Sequence, residues 1–449
     1  MRHSRRAFLQ GCSAAIAAMA GTRFNTLAFG DPLAINQEIL ISIFLRGGMD
    51  GLSLVPPIAG TDRGIYQAAR PNIKIPVTGA NAALPLNSQF GLHPAAAPLH
   101  EIWQDGKLAI VQNVGMSTVL NKSHFDAMQF IELGTPGSKS ISTGWITRHL
   151  QTAPNLPTNI VMPSLAVGDL QPTSLLGHLE TVNMTDPNAF NVGNGPWLWR
   201  HAQRTALRNM FEADSTWLHN AGLSAIDAMD IVELNVSGTY VPANGAVYPE
   251  GQFGDQMKVL AQMIKLGLGL QVATVDVGGW DTHDQEGDNG TGYFATMIGE
   301  LSDGIGALYT DLSGAGASNY MNRITLTVQS EFGRELPENN DHGTEHGYGS
   351  VMMVLGGHVN GGLHGSWTGL GSGVLVDGTD VPVTTDYRRV LSEILIRRFG
   401  NNNLEAIFPG YTGYAPIGVV QGTDSAPSAI FANGFEGGTT GGWSQTLTG

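Results

Sequence analysis

The stretch RITLTVQSEFGRELPENNDHGTEHGYGSVMMVLGG, residues 323–357, carries the pattern that decides the fold. Its apolar, β-branched run at 324–328 predicts a buried strand, and the apolar run at 351–355 predicts another. The polar segment between the two runs supplies Glu331 and His346 among several glycines. Carboxylates and imidazoles gathered at strand ends are the ligands that divalent metals use. This stretch therefore predicts a metal site at the edge of a sheet.

Length and charge restrict the class of protein. The chain has 449 residues with 42% hydrophobic content, which fits one large α/β domain with insertions or two lobes. Its 23 basic and 38 acidic residues give a formal net charge of -15. Because nucleic-acid binding needs a basic surface, this balance argues against a nucleic-acid partner but allows a small anionic ester at a locally positive metal site.

The N-terminus resembles a twin-arginine export signal. Arg5 and Arg6 precede a small apolar run at 12–20 that is too short to span a bilayer. A buried N-terminal helix, the alternative, accounts poorly for two adjacent arginines. We therefore expect residues 1–30 to be a signal peptide and the mature protein to be periplasmic or secreted. The single cysteine, Cys12, lies in this segment, so the mature chain would have no disulfide and no thiolate ligand.

No other apolar run approaches the roughly 20 residues of a membrane span, so no integral membrane segment is expected after removal of the signal. Residues 31–420 are expected to form the α/β domain, with a less regular insertion, or cap, at about 150–250. Residues 421–449 are rich in Gly, Ser and Thr and predict a flexible tail.

Strands and helices alternate along the chain. The predicted strands are 39–45, 108–114, 272–277, 324–328 and 351–355, and the predicted helices lie within 92–105, 197–218, 255–270, 293–312 and 386–399. Strand, helix, strand in this order predicts a parallel sheet covered on both faces. Ligands in such folds bind at the carboxyl ends of the strands.

Three further strand ends carry candidate metal ligands. Asp50 follows the strand at 39–45 after two glycines, where it can reach the sheet edge or simply cap a turn. Asp281 and His283 follow 272–277, and residues i and i+2 share a face in extended chain, so they form a chelating pair unless they belong to a hydrogen-bonded turn. His342 is a candidate ligand as well, although its segment could be only an exposed turn.

Ser123 is the candidate nucleophile. It stands where a helix is expected to begin, so backbone N–H groups favour an incoming anion and a nearby metal could activate the hydroxyl. With Asp126 three residues on, Ser123 could equally be an N-cap without a catalytic role. Ser117 and Thr118 are alternative hydroxyls.

Two arginines beside these segments are candidate catalytic groups. Arg46 and Arg334 could hold phosphate or sulfate oxygens through paired N–H donors. They could instead pair with Asp50 and Glu331 in structural ion pairs.

Several motifs in order carry a resemblance to a known family. After the export signal come FLRGGMDG, NKSHFDA, GGWDTH, SEFGR, GTEHG and TTDYR, and together they resemble the domain-of-unknown-function family 1501 over residues 38–400. That family is grouped with the alkaline phosphatase and sulfatase superfamily. The resemblance implies an α/β fold, a three-layer α/β/α sandwich with a mostly parallel central sheet, and commonly two metal ions at the strand ends.

The resemblance also implies roles for particular residues. Asp50, Asp281, His283, Glu331 and His346 would be metal ligands, and Ser123 the nucleophile. Phe332 departs from the superfamily pattern, since a metal-binding His is usual there, so one metal position would be altered. The residue context of formylglycine sulfatases is absent from the sequence, which disfavours that mechanism.

The expected function is that of an exported metal-dependent hydrolase of a phosphate or sulfate ester. Its cofactor would be one or two divalent ions, Zn, Mn, Mg or Ca, with the histidines favouring Zn or Mn. The alternative is a non-catalytic envelope or ligand-binding protein that retains the fold.

Overall fold

A computed structural model describes residues 38–156, 160–192, 197–236 and 238–424. The predicted export signal and nearly all of the predicted tail lie outside the described residues. Within the described ranges, no helix is both long enough and apolar enough to cross a membrane.

Thirteen strands form one large sheet and two small ones. They are β1 (Ile39–Leu45), β2 (Leu84–Pro85), β3 (Gly91–Leu92), β4 (Leu108–Gly115), β5 (Ser164–Ala166), β6 (Thr181–Asn183), β7 (Val272–Val277), β8 (Ile324–Ser330), β9 (Arg334–Glu338), β10 (Thr344–His346), β11 (Ser350–Gly356), β12 (Gly362–His364) and β13 (Thr385–Asp386) among the described residues. The central sheet has the order β12-β4-β11-β8-β1-β7-β5-β6, with β13 beside β4. All pairs in it are parallel except those of β11 with β4 and β8.

Helices cover both faces of this sheet. In the described residues they are α1 (Gly51–Leu54), α2 (Gly60–Ala69), α3 (Ala97–Gln104), α4 (His124–Leu133), α5 (Trp145–Thr152), α6 (Arg200–Phe211), α7 (Trp217–Asn235), α8 (Gln252–Leu266), α9 (Tyr293–Leu312), α10 (Tyr387–Arg397) and α11 (Leu404–Ile407). Short 3-10 helices occupy Thr173–Leu175, Trp197–Trp199, Gly316–Ser318 and Tyr320–Arg323.

The side chains of β1 show why three layers form. Ile41 and Ile43 point into one apolar cluster with α3, α8 and α9, while Leu40 and Phe44 point into a second cluster with α4, α5 and α10. Every residue of β1 is buried, and each buried aliphatic side chain contributes about 1.5–3 kcal/mol. A strand buried on both faces must be largely apolar, and six of the seven residues of β1 are apolar, with Ser42 the exception. The predicted α/β/α sandwich with a mostly parallel central sheet is confirmed.

The antiparallel strand β11 places a further segment at the functional edge. The carboxyl ends of β1, β7 and β8 lie at one edge of the sheet because these three strands are parallel neighbours. Since β11 runs in the opposite direction, its amino end and the β9–β10 hairpin before it lie at this same edge. Segments that are far apart in the sequence therefore meet there.

The segment at 150–250 differs from the prediction in two ways. Strands β5 and β6 extend the central sheet beyond β7, which the alternation pattern did not predict. The single helix predicted over 197–218 is wrong, because α6 ends at Phe211 and α7 begins at Trp217. Asp214 accepts a hydrogen bond from the Ser215 backbone N–H between them, a local bond that competes with helix continuation.

Candidate metal centre

Three histidines converge on one carboxylate at the carboxyl edge of the sheet. Oδ1 of Asp281 lies 3.3 Å from Nε2 of His124, 3.1 Å from Nε2 of His283 and 3.2 Å from Nε2 of His346. The Nε2 atoms of His283 and His346 are 2.8 Å apart. In His124, Asp281 and His346, one possible ligand atom from each residue lies within 4.8 Å of the others. Four potential metal donors thus surround one small volume.

The second nitrogen of each ring fixes its orientation. Nδ1 of His124 donates to Oε1 of Glu331 at 2.6 Å, and Nδ1 of His346 donates to the carbonyl oxygen of Lys122 at 2.8 Å. Nδ1 of His283 lies 3.1 Å from Oε2 of Glu345. Because carboxylate and carbonyl oxygens can only accept, the proton of each neutral ring belongs on Nδ1.

This proton assignment leaves three Nε2 lone pairs facing a carboxylate oxygen. Nε2 of His124 is buried and has no hydrogen-bond partner. Acceptors that face one another at about 3 Å repel unless a proton or a cation lies between them. A metal-bound histidine commonly donates its other N–H to a carboxylate or a backbone carbonyl, so the residues present fit a divalent metal ion.

Charges around the centre keep Asp281 ionised. Burial opposes its ionisation, but the hydrogen bond from Arg334 and the positive charge of that guanidinium hold the pKa of Asp281 at about 2. The hydrogen bond to Glu331 raises the pKa of His124, while burial lowers the pKa of His346. Asp281 is therefore an anionic donor throughout the physiological range.

Arg334 lies beneath the centre and is fully buried. Its Nε donates to the carbonyl oxygen of Gly48 at 2.6 Å, and its Nη1 donates to that of Thr344 at 2.8 Å. Its Nη2 donates to Oδ1 of Asp281 at 2.6 Å and to the carbonyl oxygen of Gly47. All three nitrogens are engaged by the protein, so Arg334 ties three loops together and does not face the solvent side of the site.

Glu331 and Phe332 support the histidines from below. Glu331 is fully buried and accepts the Gly47 backbone N–H at 2.8 Å in addition to the His124 imidazole. The ring of Phe332 lies 4.8 Å from the rings of both His124 and His346. Glu331 thus orients His124 through a hydrogen bond, and Phe332 packs against two of the histidine rings.

Two glycines permit this close packing. Gly47 has a φ of +130°, and a Cβ there would lie 2.4 Å from the backbone nitrogen of Asp281. Gly48 has a φ of +67°, and a Cβ there would lie 2.5 Å from the ring of Phe332. The Gly-Gly step after β1 is required by close approach as well as by backbone conformation.

The structure places three other predicted site residues away from the cluster. Asp50 is fully buried, caps α1 through the Leu52 N–H at 3.1 Å and pairs with Arg70. Arg46 pairs with Glu132 at 3.0 Å and with Asp276 at 2.8 Å. His342 is an exposed turn residue with a φ of +57°. For Asp50 the turn-capping alternative describes the observed contact, whereas the ion pairs of Arg46 involve carboxylates that the sequence did not predict.

Ser123 directly precedes a cluster residue. It is exposed and extended (φ -91°, ψ 117°) at the start of α4, and its side chain makes no capping hydrogen bond. Its hydroxyl instead contributes to lowering the pKa of Asp126, mainly an effect of Lys139, by hydrogen bonding to that carboxylate. The hydroxyl of Ser117 is bonded to Asp386 at 2.6 Å.

Sequence reasoning missed His124 and the carbonyl of Lys122, whereas Glu345 was expected to act with His346 and instead lies 3.1 Å from Nδ1 of His283. His124 lies inside the NKSHFDA motif one residue after Ser123, and its position in the first turn of a helix that begins at a strand end was the available signal. Nothing in the sequence pattern marks the carbonyl of Lys122 as a partner of His346.

Comparisons with known proteins give one partial family match and distant structural likenesses. A family model described as "Protein of unknown function (DUF1501)" matches residues 222–400, which include Asp281, His283 and His346. No curated protein matches the sequence.

Three solved structures resemble the chain at 9% identity. A sulfatase from Pseudoalteromonas sp. has a TM-score of 0.31, with 73% of this chain and 64% of the sulfatase covered, so the chain spans less than two thirds of that protein. The lipoteichoic acid synthase LtaP from Listeria monocytogenes has a TM-score of 0.31, with 87% of this chain and 76% of the synthase covered. The alkaline phosphatase from the Antarctic bacterium TAB5 has a TM-score of 0.26, with 72% of this chain and 92% of the phosphatase covered.

Proposed function

We propose that this chain is a metal-dependent hydrolase acting on a phosphate or sulfate ester. The observation that carries the proposal is the convergence of three imidazole Nε2 atoms on Oδ1 of Asp281, with an outer partner on each Nδ1. In the part of the chain that the structure describes, His124, Asp281 and His346 are the one group of three or more His, Cys, Asp or Glu side chains that could hold a metal ion, and Nε2 of His283 lies 2.8 Å from Nε2 of His346. The proposal therefore specifies one ion.

The donor set indicates which metal and what chemistry. His124, His283, His346 and Asp281 would hold the ion, and imidazole donors favour zinc or manganese over magnesium or calcium. A divalent ion held there would polarise an ester oxygen and stabilise the negative charge that develops in the reaction.

Ser123 is the proposed nucleophile. Ser123 is exposed and directly precedes His124, and the free N–H groups of the first turn of the ten-residue helix α4 favour an anion at this position. Attack by Oγ would transfer the phosphoryl or sulfuryl group to Ser123, and the proton of the hydroxyl would leave with the alcohol product. Water would then hydrolyse the serine ester and release the inorganic anion.

The two arginines have a different place in this proposal. Arg46 is bonded to two carboxylates and Arg334 to Asp281 and four carbonyl oxygens. We therefore propose that Arg334 holds Asp281 in position and that Arg46 links α4 to β7, with neither contacting the ester.

Elemental analysis of the purified protein, followed by a screen with nitrophenyl phosphate, a phosphodiester and a sulfate ester, tests the proposal. We expect about one zinc or manganese ion per chain and hydrolysis of at least one ester. Ser123→Ala should retain the metal and lose turnover, whereas full turnover in that variant would remove Ser123 from the mechanism. A metal-loaded wild-type protein without activity on any ester would favour the non-catalytic binding protein.

We also propose export to the periplasm or beyond by the twin-arginine route, on the basis of the N-terminal sequence. Replacement of Arg5 and Arg6 by lysine should leave the protein in the cytoplasmic fraction. An unchanged distribution between cell fractions would contradict this route.

A further inference from the structure

A buried pair of acids, Asp50 and Glu286, lies under the loops that carry the metal donors. Both side chains are almost fully buried, at 0% and 1% exposure. Arg70, also buried, donates to both oxygens of Asp50 and to the hydroxyl of Ser53. Its Nε donates to the carbonyl oxygen of Leu336, so this one guanidinium is directed at Asp50.

Glu286 bonds to two hydroxyl groups instead. Its Oε2 accepts from Oγ1 of Thr282 at 3.0 Å and from Oγ1 of Thr344 at 2.9 Å. Its Oε1 is buried and has no partner when both acids are ionised, although the two carboxyl groups lie within hydrogen-bonding reach of each other. An unpartnered buried carboxylate oxygen beside a second carboxylate is strongly unfavourable.

The two threonines belong to the segments that carry metal donors. Thr282 stands between Asp281 and His283, and Thr344 stands two residues before His346. The backbone N–H of Thr344 also donates to the carbonyl oxygen of Thr282 at 3.0 Å. One carboxyl oxygen of Glu286 therefore connects the loop after β7 to strand β10.

We propose that Glu286 is a positioning residue of the metal centre, held as a neutral acid that donates to Asp50 through Oε1 and accepts from Thr282 and Thr344 through Oε2. This inference rests on the proposed metal centre. One guanidinium then balances one carboxylate, and every buried oxygen of Glu286 has a partner. Burial and the neighbouring charge of Asp50 raise the pKa of Glu286 to about 8, which agrees with the neutral form at pH 7.

Two variants of Glu286 with similar shape separate hydrogen bonding from packing. In Glu286→Gln, the amide keeps both an N–H donor for Asp50 and a carbonyl acceptor for the threonines, so we expect the Zn²⁺ affinity to stay within about threefold of wild type. Glu286→Leu removes both functions. Because the loss of a partner that orients a ligand typically weakens metal binding about 10- to 100-fold, we expect that range in a competition titration with a chromogenic chelator.

Glu393 provides a matched control. It is also fully buried and accepts from backbone N–H groups, of Gly418 at 2.9 Å and Val420 at 3.2 Å, away from the metal donors. Glu393→Gln should lower the midpoint of thermal unfolding of the metal-free protein without changing its Zn²⁺ affinity. A purely structural role for Glu286 would give the same pattern in Glu286→Leu.

Failure of the positioning role of Glu286 and failure of the metal centre give different results. Wild-type Zn²⁺ affinity in Glu286→Leu would overturn the positioning role, and Thr344→Val, which removes a single donor, makes the same test if Glu286→Leu does not fold. A wild-type protein that binds no Zn²⁺ would overturn the metal centre itself.

Infrared spectroscopy tests the neutral form of Glu286 separately. The spectrum of the wild type at pH 7 should contain a protonated carboxyl band that the spectrum of Glu286→Gln lacks. Absence of that band would overturn the neutral form of Glu286.

Discussion

Truncation of Phe332 to alanine would test the packing that holds the histidines in place. The Phe332 ring is 2% exposed and lies 4.8 Å from the rings of both His124 and His346. Replacement of a buried Phe by Ala typically costs about 3–5 kcal/mol. The backbone of Gly48 lies against the same ring and limits collapse into the space left behind, so we expect the upper part of that range.

Urea unfolding of the metal-free protein measures this loss. The expected change is a lower transition midpoint with an unchanged slope, which indicates a change in stability rather than in the surface exposed on unfolding. Phe125→Ala is the matched control because that ring is 88% exposed, and exposed positions usually change stability by about 0.5 kcal/mol or less. Zn²⁺ affinity should fall in Phe332→Ala only, since both imidazoles lose a packing surface.

A decrease of less than about 1 kcal/mol in the free energy of unfolding of Phe332→Ala would refute this reasoning. Removal of a ring that packs against two histidines and a glycine backbone should cost more than that. An equal loss in Phe125→Ala would also contradict it. In that case the exposed and the buried phenylalanine would contribute equally to the free energy of unfolding.

Further substitutions test the donors, the glycine step and a buried histidine. His124→Ala should weaken Zn²⁺ binding at least about tenfold, in keeping with the loss of an oriented ligand. His342 is exposed, so His342→Ala should leave the Zn²⁺ affinity unchanged. Equal losses of Zn²⁺ affinity in the two variants would contradict the placement of the centre. Gly47→Ala should lower the thermal midpoint and the Zn²⁺ affinity together, since its Cβ would lie 2.4 Å from the Asp281 nitrogen; an unchanged midpoint would show that the loop can move aside. Burial lowers the pKa of His149 to about 3. As the pH falls below about 6.5, the imidazole therefore takes up a proton in the unfolded state but not in the folded state. The free energy of unfolding should drop by about 2 kcal/mol between pH 7 and pH 5 for this reason. His149→Gln should reduce that drop in urea titrations at the two pH values, and an identical drop would assign it to other groups.

The central strands were predictable because of where they lie. A strand buried on both faces has to be largely apolar, so β1, β4, β7 and β8 appear in the sequence as runs rich in apolar and β-branched residues. Strands β5 and β6 have three residues each. A run that short has no detectable period, and pairing with β7 determines its structure.

The candidate metal donors were predictable only in part. Asp281, His283 and His346 follow strand ends or glycine loops, and parallel neighbouring strands bring such positions together. His124 was missed because its contact with Asp281 joins positions far apart in the sequence, and no local spacing predicts that contact. Asp50 was expected at the metal, but its partner Arg70, the residue directly after α2, neutralises it within the core.

The same limit applies to Arg334. Its position beside Glu331 suggested an exposed anion-binding group or an ion pair with that residue. Five acceptors from separate loops surround its guanidinium, four of them backbone carbonyl oxygens that no sequence pattern identifies. Burial of a charged side chain in this way depends on the tertiary structure alone.

Wide separation of the donors along the chain has a consequence for maturation. Lys122 and His346, which are in contact, are 224 residues apart, and Asp281 and His283 lie between them. No short peptide from this protein contains the complete donor set, so a cation would be captured only after α4, the segment that follows β7, and β10 have come together. Metal binding would then occur late in folding. Retention of the metal ion during purification would indicate that the tertiary structure is complete.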